Sequence, residues 1–134
     1  MSRHAGAFTA ILGAVSVALG AFAAHGLRDK VTPDTLVVFE TAVRYQFYHV
    51  FALLLTFILF QRTADKYARI ARTFFIAGIF LFSGSLYLLT YVKYRELDSL
   101  RWIGAITPIG GLCLITGWLL LVPALRKLSF NSGN

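Results

Sequence analysis

Four stretches of the chain, Ala7–Ala24, about Thr41–Phe60, Thr73–Tyr91 and Trp102–Val122, are mostly apolar over roughly the length a helix needs to cross a bilayer. Nearly every charge falls between them, and Arg44 is the one that lies inside. Within the hydrocarbon layer no water is present to bond the backbone, so each stretch must satisfy its own N–H and C=O groups, which a helix does. Composition agrees, since 57% of the 134 residues are hydrophobic and 14% are charged, against roughly 45–50% and 25% in an ordinary soluble domain. The expected fold is all-α: an integral membrane four-helix bundle in a single domain over residues 1–134, with no room for a soluble module.

The formal charge of +7 comes from 13 basic and 6 acidic residues. In a soluble protein that balance would point to nucleic acid. Here the basic residues sit in short loops and at span ends, where they meet the bilayer surface and its anionic lipid headgroups, so no nucleic acid is expected as a partner. Arg3, Arg62, Lys66, Arg69, Arg72, Arg126 and Lys127 share one side of the membrane, and Arg28, Lys30, Lys93, Arg95 and Arg101 share the other. The heavier side is read as cytoplasmic, which places both termini there. Cys113 lies inside the fourth span as the one cysteine, so no intramolecular disulfide is possible. Arg3, the apolar run from Ala7 and the triplet Ala21-Phe22-Ala23 imitate a signal peptide. The run exceeds the roughly 7–15 residues of a signal core, and its glycines are patterned for packing, so the first helix is expected to be retained.

That pattern is a seam of mostly small residues, Gly6, Ala10, Gly13, Val17, Gly20 and Ala24, at alternating steps of four and three. Such a seam lets two helix backbones approach closely, which matters in lipid because apolar burial no longer drives association. The partner helix can lie in the same chain or in a second copy, so tight bundle packing and a homo-oligomer are both compatible with it. Similar seven-residue spacings occur at Ala71, Gly78 and Ser85, at Gly104 and Gly111, and at Gly110 and Gly117. Thr32-Pro33-Asp34 reads as a helix start, with a capping hydroxyl, a first-turn proline and a first-turn acid. From Pro33 to Phe60 is about 42 Å of helix, longer than the hydrocarbon layer. The second helix is therefore either long or bent, and its start is interfacial. Pro108 in the fourth span removes a backbone donor and predicts a kink or a break there. Trp102 and Trp118, about 24 Å apart along a helix, suit two aromatic belts.

The second span also carries the polar residues. If Phe60 marks one edge of the hydrocarbon, His49 lies about 16 Å deep, near the midplane, where an ionisable group is costly. A short connection brings the end of the first span to the same membrane face, so His25, Glu40, Arg44, Tyr45, Gln46 and His49 form one candidate polar intramembrane site. Glu40 and Arg44 have the acid-before-base order of a helical ion pair, although Arg44 can equally snorkel to the interface. Ser83 and Ser85 lie midway along the third span, and a hydrogen bond from His49 to one of them is expected across a helix contact. His25 and His49 differ too much in depth to ligate a haem between them, and no metal-binding or nucleophile motif occurs, so no catalytic residue, metal site or cofactor is expected and the chain is read as a non-enzyme. Two readings stay open: an interaction or accessory protein within the bilayer, its protein partner unspecified, and a transporter or channel passing protons or a small solute along a polar path through His49.

Four ordered motifs carry a resemblance. They are Gly20-Ala21-Phe22-Ala23-Ala24-His25-Gly26-Leu27, Thr41-Ala42-Val43-Arg44-Tyr45-Gln46-Phe47-Tyr48-His49, Phe82-Ser83-Gly84-Ser85-Leu86-Tyr87 and Thr107-Pro108-Ile109-Gly110-Gly111. Over nearly the whole chain the sequence resembles the small bacterial membrane proteins of domain-of-unknown-function family 423, relatives of eukaryotic transmembrane protein 256. Ala23 departs from the pattern, where glycine is usual, a small-for-small change. The resemblance implies a compact four-helix protein of the bacterial inner membrane and implies no particular activity. It places His25, Arg44, Tyr45, Gln46, His49, Ser83 and Ser85 inside the matching motifs.

Overall fold

The computed structural model describes residues 3–63 and 65–131. The side chains of Arg3 and Arg62, which the orientation reading counts, lie outside those described. Helix α1 (Arg3–Phe22) runs on into a π-helical turn, Ala23–Leu27. Helix α2 is Pro33–Thr63. Helices α3 (Lys66–Gly78) and α4 (Gly84–Tyr94) are joined end to end by a second π-helical turn, Ile79–Ser83. A 3-10 helix, Asp98–Ala105, leads into α5, Thr107–Asn131. Among the described residues four helical segments are long and apolar enough to cross a membrane: Gly6–Leu27, Pro33–Gln61, Lys66–Tyr94 and Asp98–Lys127. All regular structure among the described residues is helical, as the apolar spacing requires.

Helix α2 is one uninterrupted helix of 31 residues, about 46 Å, so the choice between a long and a bent element resolves as long. Thr32 caps it as the sequence indicates. Its hydroxyl accepts from the Thr35 N–H at 3.3 Å, and its carbonyl accepts from the Leu36 N–H at 2.9 Å. At the opposite membrane face Asp65 caps α3, accepting from the N–H groups of Tyr67 at 2.7 Å and Ala68 at 3.3 Å. Its other carboxylate oxygen takes Lys127 Nζ at 2.7 Å, tying the start of α3 to the end of α5. Burial alone would raise the Asp65 pKa, but the hydrogen bonds from Lys127, Tyr67 and Ala68 outweigh it and hold the carboxyl below its ordinary value.

Pro108 does not kink a continuous span. It lies in the first turn of α5, where its missing N–H would have had no intrahelical partner, and the change of helix type precedes it between Ala105 and Thr107. The proline within the body of α5 is Pro123.

The bundle is closed most tightly between α5 and the α3–α4 helix. Ala68, Ala71, Phe75 and Ile79 pack against Leu114, Leu121 and Ala124, with Ala52, Leu53 and Leu59 of α2 completing this core. Three glycines make the approach possible. A Cβ on Gly117 would lie 2.6 Å from Phe75 Cε1, one on Gly78 would meet Leu114 Cγ at 2.7 Å, and one on Gly110 would meet the backbone at Phe82 Cα at 2.7 Å. Gly111, also expected in a packing seam, is less confined, with Phe82 Cδ2 at 3.8 Å.

Helix α1 is held on one side only, against α2. Gly6, Gly13 and Gly20 face Phe57, Val50 and Val43 at ordinary contact distance. Ala10, Val17 and Ala24, the alternate members of the same seam, are exposed. The reason is rotation about the helix axis: Thr9, Ser16 and Ala23, each three residues after one of these glycines, are buried beside them, whereas Ala10, Val17 and Ala24, each four residues after one, are turned outward.

Candidate functional site

Gln46 and His49 stand three residues apart on α2 and so share a face, which is turned into the bundle; they are 4% and 5% exposed. Gln46 links three helices. Its Nε2 donates to the Leu12 carbonyl on α1 at 3.2 Å, and its Oε1 accepts from the Tyr87 hydroxyl on α4 at 2.9 Å. The Leu12 carbonyl also accepts from Ser16 Oγ at 2.9 Å.

His49 Nε2 lies 3.1 Å from Trp118 Nε1 on α5, and Nδ1 lies 2.7 Å from the Tyr45 carbonyl. An indole N–H can only donate, so Nε2 must accept. The proton is therefore on Nδ1, which donates to Tyr45. Both ring nitrogens are used, and the imidazole is neutral. Rings surround it: Tyr45 stacks at 6.0 Å, Phe75 stands at 5.7 Å and Trp118 at 6.1 Å between centroids.

The expected bond from His49 to Ser83 or Ser85 does not form. Ser83 Oγ donates to the Ala42 carbonyl at 2.8 Å, seven residues or about 10 Å along α2 from His49. The register of α4 against α2 thus sets the serines nearer the start of α2. Ser85 Oγ donates to the Phe82 carbonyl at 2.9 Å and lies 2.7 Å from Thr107 Oγ1, which closes the contact between α4 and the start of α5. Among the described residues no buried side-chain nitrogen or oxygen lacks a partner.

The candidate cluster therefore divides. Gln46, His49, Ser83 and Ser85 lie in the bundle, each tying α2 or α4 to a neighbour. His25, on the π turn after α1, and Arg44 are exposed, Tyr45 is exposed with its ring stacked on Phe82 at 4.5 Å, and Glu40 is half buried. The helical ion pair expected between Glu40 and Arg44 is not made; the pairs present among the described residues are Asp98 with Arg101 and Asp65 with Lys127. Both side chains instead line an open groove of about 360 Å³ between α1 and α2, walled by Val17, Gly20, Val43 and Phe47.

Sequence reasoning missed Trp118, Tyr87 and Asp65. The spacing of Trp118 to Trp102 suits an aromatic belt, whereas its N–H is directed inward to His49. A usable signal existed, because an indole N–H in a membrane helix needs an acceptor and a neutral His49 can supply one. No group of three or more His, Cys, Asp or Glu side chains able to hold a metal occurs among the described residues. Chemically, the arrangement is a set of satisfied hydrogen bonds that fixes helix register.

Known proteins bear out the membrane architecture. A family model described as protein of unknown function (DUF423) matches residues 19–111, a range that includes Gln46, His49, Ser83 and Ser85. The UPF0382 membrane protein SSP2132 of Staphylococcus saprophyticus is 45% identical over 122 residues, covering 88% of this chain and 96% of that protein. The UPF0382 membrane protein YwdK of Bacillus subtilis is 41% identical over 126 residues, covering 87% and 94%. A UPF0382 membrane protein of Haemophilus influenzae is 39% identical over 112 residues, covering 84% and 85%. No solved structure matches the chain.

Proposed function

Because the chain belongs to the DUF423 family of membrane proteins, we propose that it is a non-enzymatic interaction or accessory protein of the bacterial inner membrane, with both termini cytoplasmic, that offers the outer face of α1 to another transmembrane helix. The observation that carries this reading is the one-sided enclosure of α1. Its most apolar stretch is 17% buried, against 39% for α2 and for the α3–α4 helix and 22% for the span that ends in α5, so what sets α1 apart is the small side chains on its open side. The uncovered side holds Ala10, Val17 and Ala24, and beside it lies the groove that Glu40 and Arg44 line. Small residues facing lipid leave room for a second backbone, and packing at short range is what drives helix association there. A second copy of the chain is one partner that would fit.

The sealing of His49 by Trp118 and Tyr45 supports this reading over transport, which requires a hydrated path to the imidazole. Cysteine crosslinking in native membranes tests it, with Cys113 replaced by alanine. Val17→Cys and Leu119→Cys probe positions of similar exposure, 63% and 65%, on α1 and α5. Crosslinked product confined to Val17→Cys is the expected result. Equal crosslinking at both sites overturns the assignment of α1, and proton or solute flux through reconstituted vesicles that is lost in His49→Ala overturns the interaction reading itself.

A further inference from the structure

At the loop face opposite Asp65, three adjoining cavities form one continuous surface. The first, about 330 Å³, is apolar and aromatic and runs between Phe22, Leu27, Phe39 and Tyr87. It opens past Lys30 and Tyr94 into a second cavity of about 190 Å³, to which Lys93 and Glu96 also contribute. Lys93 and Glu96 in turn line the third, about 550 Å³, which reaches Arg101. The surface therefore changes from hydrocarbon-like to charged over its length, in the direction from the membrane interior to the loops.

The charges along it differ in their pairing. Arg101 is satisfied by Asp98 at 2.7 Å, but Lys30, Lys93 and Glu96 take part in none of the ion pairs among the described residues. Glu96 also holds a backbone φ of 54°, the left-handed position that closes helix α4. The Leu97 N–H reaches the Val92 carbonyl at 2.9 Å and the Glu96 N–H reaches the Lys93 carbonyl at 3.2 Å, a turn in which glycine is the easiest residue.

We propose that this surface holds one phospholipid whose headgroup carries both a phosphate and a primary ammonium. An acyl chain lies in the aromatic cavity, the phosphate meets Lys30 and Lys93, and the ammonium donates to the Glu96 carboxylate. Lysine ammonium groups make charge-assisted hydrogen bonds to phosphate, and the apolar wall beside them suits the chain of the same lipid. The acid is what selects: it repels a purely anionic headgroup, and it cannot accept a hydrogen bond from a trimethylated ammonium, which has no N–H. The site is distinct from the α1 face, and its occupancy does not depend on that face having a partner.

Native mass spectrometry of the detergent-purified protein tests this with phosphatidylethanolamine, phosphatidylcholine and phosphatidylglycerol added singly. Wild type is expected to retain phosphatidylethanolamine at least about threefold better than either of the others, the scale of one exposed charge pair. Glu96→Gln should erase that preference while keeping lipid bound. Lys30→Ala with Lys93→Ala should weaken all three lipids alike, with thermal unfolding unchanged because both side chains are exposed. Equal retention of the three lipids by wild type, or retention in the lysine double variant equal to wild type, overturns the proposal. So does displacement of bound lipid by inorganic phosphate or by glycerophosphoethanolamine, since the aromatic cavity would then contribute nothing.

Discussion

Replacing Gly110 by alanine should open the contact that holds α5 against the π turn before α4. The added Cβ would stand 2.7 Å from the carbonyl carbon of Leu81 and from Phe82 Cα, and closer still to the Phe82 nitrogen, where ordinary contact begins at 3.4 Å. These are backbone atoms, so no rotamer change relieves the overlap and the helices must separate locally by roughly 1 Å. Overpacking of this kind costs about 1–3 kcal/mol. The same displacement lengthens the 2.7 Å contact between Ser85 and Thr107, one turn away, for about a further 0.6 kcal/mol. Against this stands a helix-propensity gain of up to about 1 kcal/mol for alanine over glycine. The net expectation is destabilisation by about 2 kcal/mol. Two controls isolate the cause: Gly84→Ala, whose Cβ would meet nothing within 4 Å, and Gly111→Ala, which meets Phe82 Cδ2 at 3.8 Å, should be neutral or slightly stabilising. Reversible unfolding in mixed micelles of increasing denaturing-detergent content, followed by tryptophan fluorescence, measures all three. Gly110→Ala as stable as Gly84→Ala would refute the close-approach argument.

Trp118→Phe removes the donor to His49 and should destabilise by about 1–2 kcal/mol, and a double-mutant cycle with His49→Phe in the same unfolding assay should give a coupling near 0.6 kcal/mol; zero coupling would mean the bond contributes nothing. Gln46→Leu should cost about 1–2 kcal/mol and loosen α1 selectively, seen as faster hydrogen exchange around Leu12 than around Leu114. For Asp65 the folded pKa lies below the ordinary 3.8, so its contribution is fully present above the unfolded value and is lost as pH falls through the folded one. Stability of wild type should therefore decline on acidification in that range, while Asp65→Asn, which keeps a capping oxygen, should be less stable at neutral pH and show a flatter acid limb. Glu96→Gly should stabilise by about 1 kcal/mol through relief of the left-handed backbone, read as a raised unfolding temperature.

Much of this architecture is written in one dimension. The span count, the all-helical class and the start of α2 at Thr32-Pro33 follow from residue order, because backbone bonding inside a bilayer and the satisfaction of a helix N-terminus are local demands. That Gln46, His49, Ser83 and Ser85 would be buried polar groups needing partners was equally legible, since each lies deep in an apolar run. Which partner each takes was not. Ser83 bonds to Ala42, about two turns from His49, and His49 accepts from a tryptophan on α5, because sliding one helix past another changes every cross-helix pair without changing either helix. The small residues divide the same way: their spacing announced close approach, but whether Gly110 meets a backbone, Gly20 a valine, or Ala10 the exterior depends on rotation about the helix axis. Sequence alone determined four membrane-crossing helices and an inventory of eight candidate polar groups, of which Gln46, His49, Ser83 and Ser85 are buried while His25, Arg44 and Tyr45 are exposed. The register and rotation that turned that inventory into a closed hydrogen-bond set, and left one face of α1 uncovered, were decided only when the helices packed together, since short-range fit between side chains is the force that acts between helices in lipid.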